Sequence, residues 1–227
     1  TVTLFRRGNL VGPDQDTWVP YDPDDQALLA SDVMQPAEVV DADSDLLRTL
    51  AAMLENRLPV AIAVSEGGLC GILTEHDALS FATNMLPPAL ALDEQFSEPV
   101  QTVEAHVSVA DVWTEMDGFG IRHVVVRGDD GGIEGVVSRR DLALAPRART
   151  VLGARRSEAT FTVHRNSSFA AASAIMLEKH IGCLPVVTTY GDLVGIITRR
   201  DVLRTLVFFL EGEVERLRSA PGFEPQS

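Results

Sequence analysis

In Gly195-Ile196-Ile197-Thr198-Arg199-Arg200-Asp201 a short apolar run opens on glycine and closes on a hydroxyl residue three positions before an acid. The pattern predicts a buried strand running into a helix start. Thr198 can accept a free backbone N–H of the first turn and Asp201 complements the helix dipole, together worth roughly 1–2 kcal/mol. A single copy would need no explanation beyond helix capping. Gly71-Ile72-Leu73-Thr74-Glu75-His76-Asp77 and Gly135-Val136-Val137-Ser138-Arg139-Arg140-Asp141 have the same form, with their glycines 64 and 60 residues apart. Copies at that spacing mark a repeat protein.

Each copy closes the same predicted order of elements. In the first, a strand near Val39-Val40 leads to a helix capped by Asp43 or Ser44, with Leu46, Leu47, Leu50, Met53 and Leu54 at helical spacing. Strands at 59–64 and 69–73 then form a hairpin around Ser65-Glu66-Gly67-Gly68, and the helix opened by Thr74 ends by Pro87-Pro88. The second copy has a strand at 100–103, a helix from Ser108 to about 117 and a hairpin of 122–126 with 133–137. The third has a strand at 160–163, a helix over 168–180 and a hairpin of 183–187 with 193–197. The expected fold is mixed α/β (α+β), three units of β-α-β-β-α at 31–92, 93–149 and 150–218. An acidic lead-in (1–30), whose Trp18 and Tyr21 are expected to dock on the body, precedes them, and a tail (219–227) follows.

A unit of about 60 residues is near the lower limit for burying its own core, so such units must associate, and pairing creates clefts. The last helix runs long, with Leu203, Leu206, Val207, Leu210, Val214 and Leu217 in one stripe that packs within the chain or forms a dimer contact.

The 227 residues are 45% hydrophobic, which allows a proper core, and the net charge of −14 disfavours wholesale binding to nucleic acid or an anionic membrane. Cys70 and Cys183 each lie in an apolar run of a different repeat and read as small buried hydrophobes, without disulfide, metal or redox spacing. This fits a reducing cytoplasm. No apolar run is long enough to cross a bilayer, and the start lacks a signal-peptide pattern. The chain begins at Thr1 and is expected to be part of a longer natural one. No nucleophile–base pair, metal spacing or Walker-type loop points to an enzyme.

The order β-α-β-β-α, the strand Leu184-Pro185-Val186-Val187 and the Gly-x-x-Thr/Ser-x-x-Asp ending resemble the cystathionine β-synthase (CBS) domain family over about residues 31–210. The resemblance implies that two repeats pack through their sheets into a Bateman module with two clefts for adenosine-containing ligands such as AMP, ADP, ATP or S-adenosylmethionine. It implies a non-catalytic ligand sensor that needs no cofactor or metal, with an oligomerising scaffold of vestigial clefts as the alternative. Carried onto this chain, the ribose-binding acid falls on Asp77, Asp141 and Asp201, and the hydroxyl on Thr74, Ser138 and Thr198.

A carboxylate suits a vicinal diol, and helix-start N–H groups suit a phosphate. Arg139, Arg140, Arg199 and Arg200 stand in first turns, where cations oppose the dipole, so an anionic ligand is expected to explain them. In repeat 1 Glu75 and His76 stand there instead, so that cleft is expected to take a less charged ligand or none. Adenine is expected against Val163, Cys183 and Pro185 beside Gly195 in repeat 3, and against Val103 and His123 in repeat 2; each apolar residue also fits plain core packing. His164 and His180 read as surface residues. Repeats 2 and 3 share the basic ending and are expected to pair within one chain. Repeat 1 then pairs with its symmetry mate in a homodimer or is shielded by the lead-in, while pairing of repeats 1 and 2, with repeat 3 joining across a dimer, stays open.

Overall fold

The structure is a computed structural model that describes residues 38–66, 68–92, 96–144, 149–155 and 160–219, with backbone alone at 217 and 218. The chain divides after Glu38 into an N-terminal unit and the unit that carries all three hairpins, which is the one described below. The expectations for the lead-in with Trp18 and Tyr21, for the Leu217 side chain and for the tail beyond 219 lie outside the described residues.

Repeat 1 consists of β1 (Glu38–Asp41), α1 (Leu46–Glu55), β2 (Val60–Ser65), β3 (Gly68–Thr74) and α2 (Glu75–Met85). Repeat 2 has β4 (Thr102–Glu104), α3 (Val109–Gly118), β5 (His123–Arg127), β6 (Ile133–Ser138) and α4 (Arg139–Leu144). After a short helix α5 (Val151–Ala154), repeat 3 has β7 (Val163–His164), α6 (Phe169–Glu178), β8 (Cys183–Val187), β9 (Leu193–Thr198) and α7 (Arg199–Arg218). Sequence reading missed α5, a single turn capped by Thr150 with too few residues to show a period. It also placed the α1 cap one or two residues early. Asp45 is the cap and accepts from Arg48 N–H at 2.9 Å, whereas Asp43 donates its N–H to Asp41 in the preceding turn.

The three hairpins are geometric copies. Ile62 pairs with Ile72, Val125 with Val136 and Pro185 with Ile196, and the register slips once at the same step, after Ala63, Val126 and Val186. The first helix of each repeat also ends alike. Arg57, Gly120 and His180 take positive φ just past it, which lets the next N–H reach back to Met53, Met116 and Met176.

Side chains alternate across each strand, so every sheet has one face toward helices and one away from them. On the helix side, Leu50, Met53, Leu79 and Ala82 of repeat 1 share one core with Phe169, Met176, Leu203 and Leu206 of repeat 3. The α7 stripe is therefore mainly intrachain packing, with Leu203, Leu206 and Val207 buried. Repeat 2 keeps a helix-side core of its own around Val112, Met116, Val124 and Val137. On the other side, the sheets of repeats 2 and 3 meet through Val125, Cys183 and Ile196, flanked by Ile133, Val136 and Leu193. Repeat 1 thus joins repeat 3 through helices, and repeat 2 joins repeat 3 through sheets. Cys70 departs from expectation: it is exposed, as are its neighbours Gly68 and Leu69 on β3, while Cys183 is buried.

Candidate functional site

Each of the three helix mouths carries a closed hydroxyl–carboxylate pair. In repeat 1 the Thr74 N–H and hydroxyl donate to Asp77 Oδ2 at 2.9 and 2.6 Å, and Asp77 N–H donates back to Thr74 Oγ1 at 3.3 Å. Ser138 and Asp141 repeat this at 2.8, 2.5 and 3.2 Å, and Thr198 and Asp201 at 2.8, 2.7 and 3.4 Å. The hydroxyl bond holds the Asp77 carboxyl below its ordinary pKa. The geometry is that of a helix-start box, so one oxygen of each acid serves the fold.

What surrounds the boxes differs. Asp77 is exposed, Asp141 is half-buried and Asp201 is 4% exposed. The second oxygen of Asp201 accepts from Ser97 Oγ at 3.3 Å and from Arg204 Nη1 at 2.9 Å. Ser97 also exchanges backbone hydrogen bonds with Ile196 at 2.9 and 3.1 Å, so the segment before β4 lies along β9. This brings the Phe96 ring onto Gly195, where a Cβ would stand 2.0 Å from the nearest ring carbon. At the matching place in repeat 2, a Cβ on Gly135 would stand 2.7 Å from Arg155 Cδ, and the Arg155 guanidinium bonds the Glu134 carbonyl. No described residue lies within 4 Å of the equivalent point at Gly71. Each glycine thus leaves a slot beside its acid, filled by a flat ring, by a flat cation, or by no described residue. Phe96, Ser97 and Arg155 were not singled out from sequence. The glycines were the signal that something approaches closely, but not what.

The arginines have partners within the chain. Arg139 Nε donates to the Ile121 carbonyl at 3.0 Å, pairs with Asp117 and lies 5.9 Å from the Trp113 ring centre. Arg199 donates to the Ile181 carbonyl at 3.1 Å, and Arg200 to the Leu54 carbonyl at the end of α1 at 2.9 Å. Backbone carbonyls in or just past the last turn of a helix thus accept from each of these three side chains; Arg140 is exposed. Glu75, at the mouth of repeat 1, is paired by Arg122 of repeat 2 at 3.6 Å. Burial lowers the Arg200 pKa and Glu75 raises it, while the nearby charges of Arg122, Arg57 and Arg204 lower it further. Four guanidiniums therefore gather where the three repeats meet.

Of the apolar residues expected on adenine, Val163 is buried in the shared core and Val103 in the core of repeat 2, so both face helices rather than a crevice. Cys183 lies between the sheets, where burial pushes its thiol up to about 12, and Pro185 is buried on the same strand. His123, close to Gly182, has its pKa lowered to about 4 by burial and then by Arg122 and Arg199, which outweigh Asp141. Its surroundings therefore favour the neutral imidazole at pH 7. His180 is exposed, whereas His164 is half-buried, with its Nε2 buried and unbonded and its Nδ1 accepting from Asn166 N–H. A cleft of about 580 Å³ opens between residues 98–102 and Leu193–Val194, with Arg127 at its side, next along both strands from the filled slot. Among the described residues no group of His, Cys, Asp and Glu could hold a metal, and no helix is long and apolar enough to cross a membrane.

A family model for the CBS domain matches residues 30–84, 94–147 and 157–207. The chain belongs to the CBS domain family. It is 27% identical over 169 residues to the inosine-5'-monophosphate dehydrogenase of Korarchaeum cryptofilum, covering 73% of this chain and 35% of that protein. It spans about a third or less of the length of the curated relatives it matches. An uncharacterized conserved protein from Pyrococcus horikoshii superposes with a TM-score of 0.64 at 21% identity, over 75% of this chain and 79% of that one. Protein MJ1225 from Methanocaldococcus jannaschii does so with a TM-score of 0.64 at 20% identity, over 74% and 66%. At these identities the likeness is one of fold: three tandem CBS repeats of mixed α/β class.

Proposed function

We propose that this chain is a non-catalytic regulatory module that binds an adenosine-containing ligand, AMP, ADP, ATP or S-adenosylmethionine, between its CBS repeats. The slot at Gly195 carries this reading. An aromatic ring already lies against the strand there, beside a buried acid and near an open cleft. An adenine ring is the same kind of object as the Phe96 side chain. Its ribose diol can take over the Asp201 oxygen that now holds the Ser97 hydroxyl at 3.3 Å, the longer of that oxygen's two bonds. A phosphate would find Arg200, Arg204 and Arg122 close by.

Ligand entry would move residues 96–97, which sit in the connection between repeats 1 and 2, and so couple binding to the disposition of the repeats. The coupling can be no larger than the ligand's preference for the displaced arrangement. Calorimetry of ligand-stripped protein with AMP, ATP and S-adenosylmethionine tests the proposal. Phe96→Ala removes the competing ring and should tighten binding about tenfold or more, while Asp201→Ala should abolish it. If no ligand binds below about millimolar to either wild type or Phe96→Ala, the reading fails.

In that case the saturated Asp201 carboxylate would favour the second reading, a scaffold whose clefts are filled by its own side chains. The reading places the chain in the cytoplasm, with small-molecule ligands and no nucleic-acid partner.

A further inference from the structure

We propose that Arg155 sets the ligand class of the repeat 2 slot, admitting adenosine ligands that carry a phosphate and turning away the neutral nucleoside. This rests on the binding reading above and deepens it. The two slots are not equivalent, because a neutral ring fills the one at Gly195 and a cation fills the one at Gly135.

By hairpin register, Glu134 and Gly135 stand in repeat 2 where Val194 and Gly195 stand in repeat 3. Val194 borders the open cleft of about 580 Å³. The Glu134 carbonyl is instead taken twice, by the Arg155 guanidinium and by the Thr160 hydroxyl at 3.1 Å. The Arg155 stem crosses Gly135, where a Cβ would stand 2.7 Å from its Cδ, so the cation lies there only because the strand offers a glycine.

The guanidinium can leave without disturbing the fold. Thr160 still satisfies the Glu134 carbonyl, so no buried acceptor is stranded. The α5 turn that carries Arg155 has its own anchors: Val151 N–H donates to the Val107 carbonyl at 2.8 Å, Leu152 N–H donates to that of Ala105 at 3.3 Å, and Val151 and Ala154 are buried. Phe96, by contrast, adjoins Ser97, whose backbone is bonded to Ile196 in both directions. The Gly135 slot therefore opens by the swing of one side chain, and the Gly195 slot by the movement of a chain segment.

Charge then decides what opens it. A neutral nucleoside breaks the guanidinium's hydrogen bond and offers the cation nothing in return. A phosphate accepts from the displaced guanidinium, and a charge-assisted bond of that kind is about twice as strong as a neutral one. The planar fork of arginine also suits a phosphate better than the point charge of lysine does.

Amide NMR of the ligand-stripped 227-residue chain reads the slots separately, through Gly135 and Gly195. At Gly135, wild type should bind AMP at least about tenfold more tightly than adenosine. Arg155→Ala should bring the two ligands within about threefold of each other there, chiefly because adenosine gains, and Arg155→Lys should keep part of the preference. The ratio read at Gly195 should be the same in all three proteins. An Arg155 that merely braces α5 would change both ligands alike and leave the Gly135 ratio where it was, and that result overturns the proposal. So does a Gly135 signal that answers neither ligand in wild type. If Gly195 responds while Gly135 fails to discriminate, this inference falls alone; if neither glycine responds to any ligand, the binding reading falls with it.

Discussion

Repeats 1 and 3 share a hairpin register, a helix-start box and one helix-side core, yet their functional ends stand in opposite states. In repeat 3 the sheet face is covered by repeat 2, the glycine slot holds Phe96, and both oxygens of Asp201 are engaged. In repeat 1, among the described residues, nothing covers the same face or fills the slot, and Asp77 is exposed. The difference lies in neighbours. One motif gives a helix cap where it stands alone, and a buried polar junction where a second repeat and a connecting segment close over it.

Removing the acid should separate the two most sharply. Asp201→Ala strands Thr198, Ser97 and Arg204 donors beside a buried site and should cost roughly 3–5 kcal/mol, whereas Asp77→Ala loses an exposed cap interaction of about 1 kcal/mol. Urea unfolding of the two variants checks it. Equal costs would mean that the enclosure around Asp201 adds nothing to stability.

The sheet face gives a second matched pair. Ile196→Ala opens a gap between repeats 2 and 3 and should cost about 2–4 kcal/mol. Ile72→Ala, at the same register position but 63% exposed, should stay within about 0.5 kcal/mol. Equal costs for Ile72→Ala and Ile196→Ala in urea unfolding would break the comparison.

Acid should act most strongly on the covered face, where the titrating group is buried. His123 lies in register with Val60 of repeat 1, and its folded pKa of about 4 is below the ordinary 6.5. The unfolded chain therefore takes the proton first. The His123 contribution is whole above about pH 6.5 and is lost as pH falls toward 4, by about 2 kcal/mol at pH 5 and about 3 kcal/mol at pH 4. Melting temperature followed against pH should show this limb in wild type and a shallower one in His123→Asn.

Much of this architecture was legible in the residues. The β-α-β-β-α order, the hairpins and the helix starts at Thr74, Ser138 and Thr198 follow from periodicity, glycine and capping chemistry, which act within a few residues. The pairing of repeats 2 and 3 was anticipated from their shared basic ending, although the arginines that suggested it turned out to bond backbone carbonyls. Val103 and Val163 were misplaced because a two-residue or three-residue strand is too short to show which of its faces is covered.

By itself the sequence determined the three copies, the box at each helix mouth and the glycine beside it, because each is a local matter of hydrogen bonds and backbone room. Only the tertiary structure decided that Phe96 lies on Gly195, that Arg155 lies on Gly135, that Arg122 offsets Glu75 and that Ile72 faces outward. Those contacts join residues far apart in the chain. Whether an apolar side chain becomes core or docking surface depends on what covers it, and a repeated motif cannot encode which of its copies will be covered.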